Sequence, residues 1–144
     1  MKFLFSSPLV PALALLVAGC AGVDSRNMSR PQAATESPSH WDGHWTSARH
    51  HGMGGRLQCV LTKVDAHHLS AHFRAHWGLF SSGYTALLDA RRVGNGLRLN
   101  GTHRLTGMGG GLYHYQGRVT HSHFTATYNS SYDNGTFDMV PAAR

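Results

Sequence analysis

From Leu69 to Trp77 the odd positions read Leu69, Ala71, Phe73, Ala75 and Trp77, while the positions between them read Ser70, His72, Arg74 and His76. A strict period of two marks a strand with one dry face and one wet face. Phe124, Ala126 and Tyr128 alternate with Thr125, Thr127 and Asn129 in the same way. Glycine and asparagine clusters punctuate the chain at Gly52 to Gly55, Gly94-Asn95-Gly96, Gly107 to Gly111 and Asp133-Asn134-Gly135. Such clusters make turns that tolerate positive φ, and Asn-Gly is a hairpin signal. No stretch carries a helical stripe. The pattern predicts strands over 41–48, 55–63, 67–77, 80–91, 96–105, 111–119, 121–129 and 135–140. The fold class is therefore all-β and antiparallel, with about eight strands in two sets of four. A closed barrel is preferred to a sandwich because closure removes exposed edges.

An internal echo accompanies the alternation. Gly52-Met53-Gly54-Gly55-Arg56-Leu57 recurs as Gly107-Met108-Gly109-Gly110-Gly111-Leu112, an offset of 55. The same offset pairs Val64 with Val119, His68 with His123, Leu69 with Phe124, Ala71 with Ala126, Phe73 with Tyr128 and Trp77 with Tyr132. The echo predicts one dry-face register shared by both halves, which thereby occupy equivalent places in the fold.

Proline sets the domain limits. All five Pro residues, at 8, 11, 31, 38 and 141, fall outside Trp41 to Val140, which holds all three Trp. Residues 41–144 are read as a single domain large enough to bury a core without disulfides. At the other end of the chain, Lys2, an apolar run from Leu9 to Val17 and small residues before Cys20 make a secretory signal rather than a membrane span. Val17-Ala18-Gly19-Cys20 resembles the lipobox of bacterial lipoproteins. The resemblance implies cleavage of a 1–19 signal peptide and acylation of Cys20 as the new N-terminus. Ala21 stands where that family's inner-membrane retention signal has Asp, which implies the outer membrane. Residues 20–40 then form a lipidated, disordered tether, rich in Pro, Ser and Asn and without an aromatic residue. A coil of about 20 residues reaches about 25 Å.

Shorter resemblances touch the domain itself. Gly43-His44-Trp45 resembles the opening of lipocalin-type barrels, and Leu69-Ser70-Ala71-His72-Phe73 resembles a strand pattern of avidin-type barrels. Trp41-Asp42-Gly43-His44-Trp45, Gly110 to Gly117 and Gly135-Thr136-Phe137 are similar to motifs of small secreted bacterial β proteins, with one residue of spacing different in the middle motif. No activity follows from these likenesses.

Composition adds charge and histidine. Loss of residues 1–19 removes Lys2 and leaves 12 basic against 7 acidic residues, a formal +5. Twelve histidines would carry this to +17 if all were protonated, a surface suited to anionic lipid or polysaccharide. On a strand, His121 and His123 would point to one side about 6.6 Å apart, a spacing at which two imidazoles can share a zinc or copper ion. His68 or His72 would supply a third ligand. Against this, both lie opposite the dry face of Phe124, and histidines scattered over a wet surface are the simpler reading, with no cofactor.

Catalytic patterns are missing. Glu36 is the one Glu and sits in the tether, and Asp65, Asp89 and Asp133 lie in or beside predicted turns. No Ser sits in a nucleophile elbow, and Cys59, between Leu57 and Leu61, reads as a buried inert thiol. The Gly-Met-Gly-Gly loops lack the Lys and helix of a phosphate cradle. Trp77, Tyr128 and Tyr132 are assigned to the dry face, while other aromatic rings could grip an apolar ligand or a sugar. A lipid-anchored, non-catalytic envelope protein is expected, binding an anionic polymer or a protein partner and no nucleic acid. A metal-handling protein built on His121 and His123 is the alternative.

Overall fold

The computed structural model describes residues 37–107 and 109–143. Alternation along these residues resolves into β1 (Ser39–Ser47), β2 (Gly54–Lys63), β3 (His68–Trp77), β4 (Phe80–Val93), β5 (Gly96–Leu105), β6 (Gly111–Val119), β7 (Phe124–Asn129) and β8 (Asn134–Pro141). Each strand pairs antiparallel with the next, and β1 also pairs with β8, so the sheet closes into an eight-stranded barrel. The expected signal peptide, lipobox and most of the tether lie outside the described residues. Ser39 and His40, assigned to the tether from sequence, already pair with Leu61 and Val60 on β2.

Dry-face residues point inward and fill the barrel. Phe73, 1% exposed, stands at the centre, its ring 5.2 Å from that of Tyr84, 5.4 Å from Phe137, 6.2 Å from Tyr115 and 6.3 Å from Phe124. Eight strands enclose a lumen just wide enough for side chains. Here aromatic rings occupy it, with Leu57, Cys59, Leu61, Leu88, Leu99 and Met139 around them.

The seam between β1 and β8 depends on close backbone approach. A Cβ on Gly43 would lie 2.0 Å from the Asp138 carbonyl oxygen, and one on Gly135 would lie 1.8 Å from that of Thr46. Around this seam the Tyr128 hydroxyl donates to the Thr46 carbonyl at 3.0 Å, and the Thr46 and Thr136 hydroxyls meet at 2.8 Å. Asp133, buried in the β7–β8 turn, accepts from the Ser47 hydroxyl at 2.6 Å and the Asn134 amide at 2.8 Å. A buried carboxylate is tolerated because Oδ1 is met by two donors and Oδ2 lies 3.0 Å from the Tyr128 hydroxyl, whose proton Thr46 and Asp133 share.

Three sequence expectations need correction. Residues 121–123 are not part of a strand: the Thr120 amide donates to the His123 carbonyl at 2.8 Å, and the Thr120 hydroxyl accepts from the His123 amide at 3.1 Å. This side-chain-closed turn outcompetes the alternation. The echo is also only half a structural repeat. Leu69, Ala71 and Phe73 match Phe124, Ala126 and Tyr128 in facing inward, but Leu57 is buried while Leu112 faces out: β2 and β6 both turn odd-numbered residues inward, Leu57, Cys59 and Leu61 in one and Tyr113 and Tyr115 in the other, so the odd offset of 55 maps an inward position of β2 onto an outward position of β6. Tyr132, assigned to the dry face, is 48% exposed in the β7–β8 turn.

Removing the central ring should be costly. Phe73→Ala is expected to lower unfolding free energy by about 3–5 kcal/mol in urea titrations. A loss under 1 kcal/mol would show that the surrounding rings collapse into the space.

Candidate functional site

None of the twelve histidines is buried; eight are exposed and four half-buried. His121 and His123 sit in the β6–β7 turn. His68 begins β3 on the same end of the barrel, in a different turn region, with Asp65 Oδ2 2.7 Å from its Nδ1 and Asp89 Oδ1 3.2 Å from its Nε2. A carboxylate thus flanks each ring nitrogen of His68. His72 lies on the outer face, its Nδ1 2.9 Å from the Thr85 hydroxyl. Among the described residues no group of three His, Cys, Asp or Glu is placed to hold a metal ion. The strand geometry behind the proposed His121–His123 site is therefore absent, since the pair occupies a turn.

The lumen offers polar atoms but little reactivity. Cys59 is 1% exposed, and burial pushes its thiol far above the ordinary range, so it is held as the neutral thiol. Burial likewise raises Tyr115 to about 12, and Tyr84 and Tyr128 also go up through burial. The Tyr113 hydroxyl donates to the Gly109 carbonyl at 2.7 Å. Tyr115 keeps its hydroxyl buried without a hydrogen bond of full geometry, although the Tyr84 phenol is its close electrostatic neighbour. His103, half-buried at an inward position of β5, stacks on Tyr84 with ring centres 5.4 Å apart. Sequence reasoning did not single out this pairing; the odd-numbered alternation through Leu97, Leu99 and Leu105 carries the signal that His103 points inward.

Open grooves lie on the outside of the wall. One, of about 820 Å³, crosses β5 to β8 between Arg98 and Asp138. A second runs along β1, β2 and β8 beside Asp42, His44 and Arg56. Arg56 donates two hydrogen bonds to the Asp42 carboxylate, from Nε at 2.9 Å and from Nη2. That contact holds Asp42 below its ordinary value. Asp65 is lowered as well, first by the backbone amide of His67 and then by His68. The geometry can present charge and hydrogen-bonding groups to a ligand on the outer wall. Comparison with protein-family models, with curated proteins and with solved structures found no match to this chain.

Two measurements check this picture. Asp42 and Asp65 bind protons less tightly folded than unfolded, so each contributes stability that is present above its ordinary value near 3.8 and is lost as pH falls through the folded value. Urea midpoints of the wild type should fall on acidification, and less steeply in Arg56→Gln and Asp65→Asn. Native mass spectrometry of protein purified without an affinity tag should show no stoichiometric zinc or copper, and the same spectrum for the His121→Ala/His123→Ala double variant. One metal per chain, lost in that variant, would reinstate the metal centre.

Proposed function

We propose that this chain is a lipid-anchored, non-catalytic binding module of a bacterial envelope, held through Cys20 and placed at the outer membrane. The observation that carries the reading is the division of the barrel: a lumen filled with aromatic rings and an outer wall that keeps its charged and polar groups available. A filled interior leaves recognition to the outside. The alternating strands put His44, His72 and His114, with Arg98 and Arg118, on that wall. Such a surface suits an anionic envelope polymer or an acidic protein partner.

The non-catalytic reading draws on the chemistry of the candidate groups. Cys59 and the buried phenols are neutral and shielded. His68, the histidine between carboxylates, stands on the outer face, apart from the buried thiol and phenols of the lumen.

The anchor is supported by Val17-Ala18-Gly19-Cys20. Several acyl chains at about 0.8 kcal/mol per buried methylene hold a protein to a membrane almost permanently. Metabolic labelling with a radioactive fatty acid tests it. The wild type should take up label and sediment with membranes, whereas Cys20→Ala should take up none and appear in the soluble fraction. Label retained by Cys20→Ala would remove the anchor from the reading.

A further inference from the structure

Like charges directly opposed on neighbouring strands repel and weaken a sheet. Yet Arg91 on β4 stands opposite Arg98 on β5, and Arg98 stands opposite Arg118 on β6, all three exposed on the outer wall. At strand spacings of about 4.8 Å, the row spans roughly 10 Å. Among the described residues no carboxylate pairs with any of the three; Arg118 donates to the neutral side-chain oxygen of Asn95 at 3.2 Å. Asp89, two residues before Arg91, is turned to His68. The fold thus keeps three cations side by side and unneutralised.

The row runs into the groove across β5 to β8, where it continues through Thr125 to Asp138. Two residues further along the strands, about 6.8 Å away, a second cross-strand row pairs Asn100 with Gln116, Gln116 with Thr127 and Thr127 with Thr136. Beneath them the wall carries small inward residues. A Cβ on Gly117 would lie 2.9 Å from that of Ala126 and 2.8 Å from the Thr125 carbonyl oxygen, so β6 and β7 lie close together at the groove floor. One row supplies cations ending in a carboxylate, and the other supplies amides and hydroxyls. No outward position of either row is aromatic, so no platform exists for stacking a nucleobase.

We infer that this groove binds an acidic saccharide. A carboxylate or phosphate of the sugar lies between the guanidinium groups of Arg98 and Arg118, whose planar donors match an oxyanion's two oxygens, with Arg91 extending the positive field. Ring hydroxyls, donors and acceptors at once, exchange hydrogen bonds with Asn100, Gln116 and Thr127. Asp138 accepts from a hydroxyl at the far end and repels a second anion there, which fixes the orientation. The inference rests on the reading of the chain as a binding module and is independent of the lipid anchor.

Calorimetric titration of the full chain in non-ionic detergent tests it. The probes are an oligogalacturonate, a phosphorylated glucan oligosaccharide, a neutral glucan oligomer of the same length, inorganic phosphate and phosphatidylglycerol vesicles. At least one acidic oligosaccharide should bind, with the neutral oligomer and free phosphate at least about tenfold weaker. Arg98→Gln and Arg118→Gln should each weaken it about tenfold, while Arg74→Gln, the same charge change on β3, should leave it within about twofold. Gln116→Ala should weaken it without altering the salt dependence. The inference falls if no acidic oligosaccharide binds, if Arg74→Gln weakens binding as much as the groove variants, or if phosphate or the vesicles bind as tightly as the saccharide. Mass spectrometry of the titrant separates the two readings: cleaved saccharide with intact Arg98 and Arg118 dependence overturns the non-catalytic reading and keeps the groove, whereas uncleaved saccharide bound elsewhere overturns the groove alone.

Discussion

Pairing of β1 with β8 is the constraint on which the rest of the molecule depends. It joins Trp41 to Pro141 and Ser47 to Gly135 across nearly the whole described chain, and it removes both free edges of the sheet. Gly43 and Gly135 are required there because the opposing backbone occupies the space of a side chain. Once the seam is closed, lumen size is set by strand number. With Phe73, Tyr84, Tyr115 and Phe137 inside, the lumen is a core, and the chemistry available to a ligand moves to the outer wall.

Most of that framework was legible in the amino-acid order. The alternation through Leu69 to Trp77 and Phe124 to Tyr128 marked the walls, and the Gly-Asn clusters marked the turns, because both signals are local. Less legible were features decided by a few atoms at strand ends. His121 and His123 alternate like strand residues, yet the Thr120 hydroxyl caps their backbone and turns the chain. Leu57 and Leu112 occupy matching places in the Gly-Met-Gly-Gly echo, but the odd offset of 55 turned one inward and the other outward. Period-two patterns are unforgiving in this respect, since a slip of one residue exchanges the faces.

The outer-wall groove was hidden for another reason. Arg98 and Arg118 are twenty residues apart, and neither alternation nor composition places them opposite one another. Cross-strand register is a property of the closed sheet, so a charge row can be read only after pairing is known. The same holds for His103 on Tyr84. By contrast, the burial of Cys59 followed directly from its place between Leu57 and Leu61.

That buried thiol ties the timing of folding to redox chemistry. Cys59 is sealed only when the wall around it is complete, and completing the wall means joining segments about one hundred residues apart. Folds dominated by such distant contacts form slowly. In the oxidising compartment that the proposed anchor implies, an unfinished barrel exposes one thiol with no partner in its own domain. Mixed disulfides with other proteins would then compete with seam closure, and in such a compartment the rate of closing β8 onto β1 would decide how much of the chain escapes oxidation.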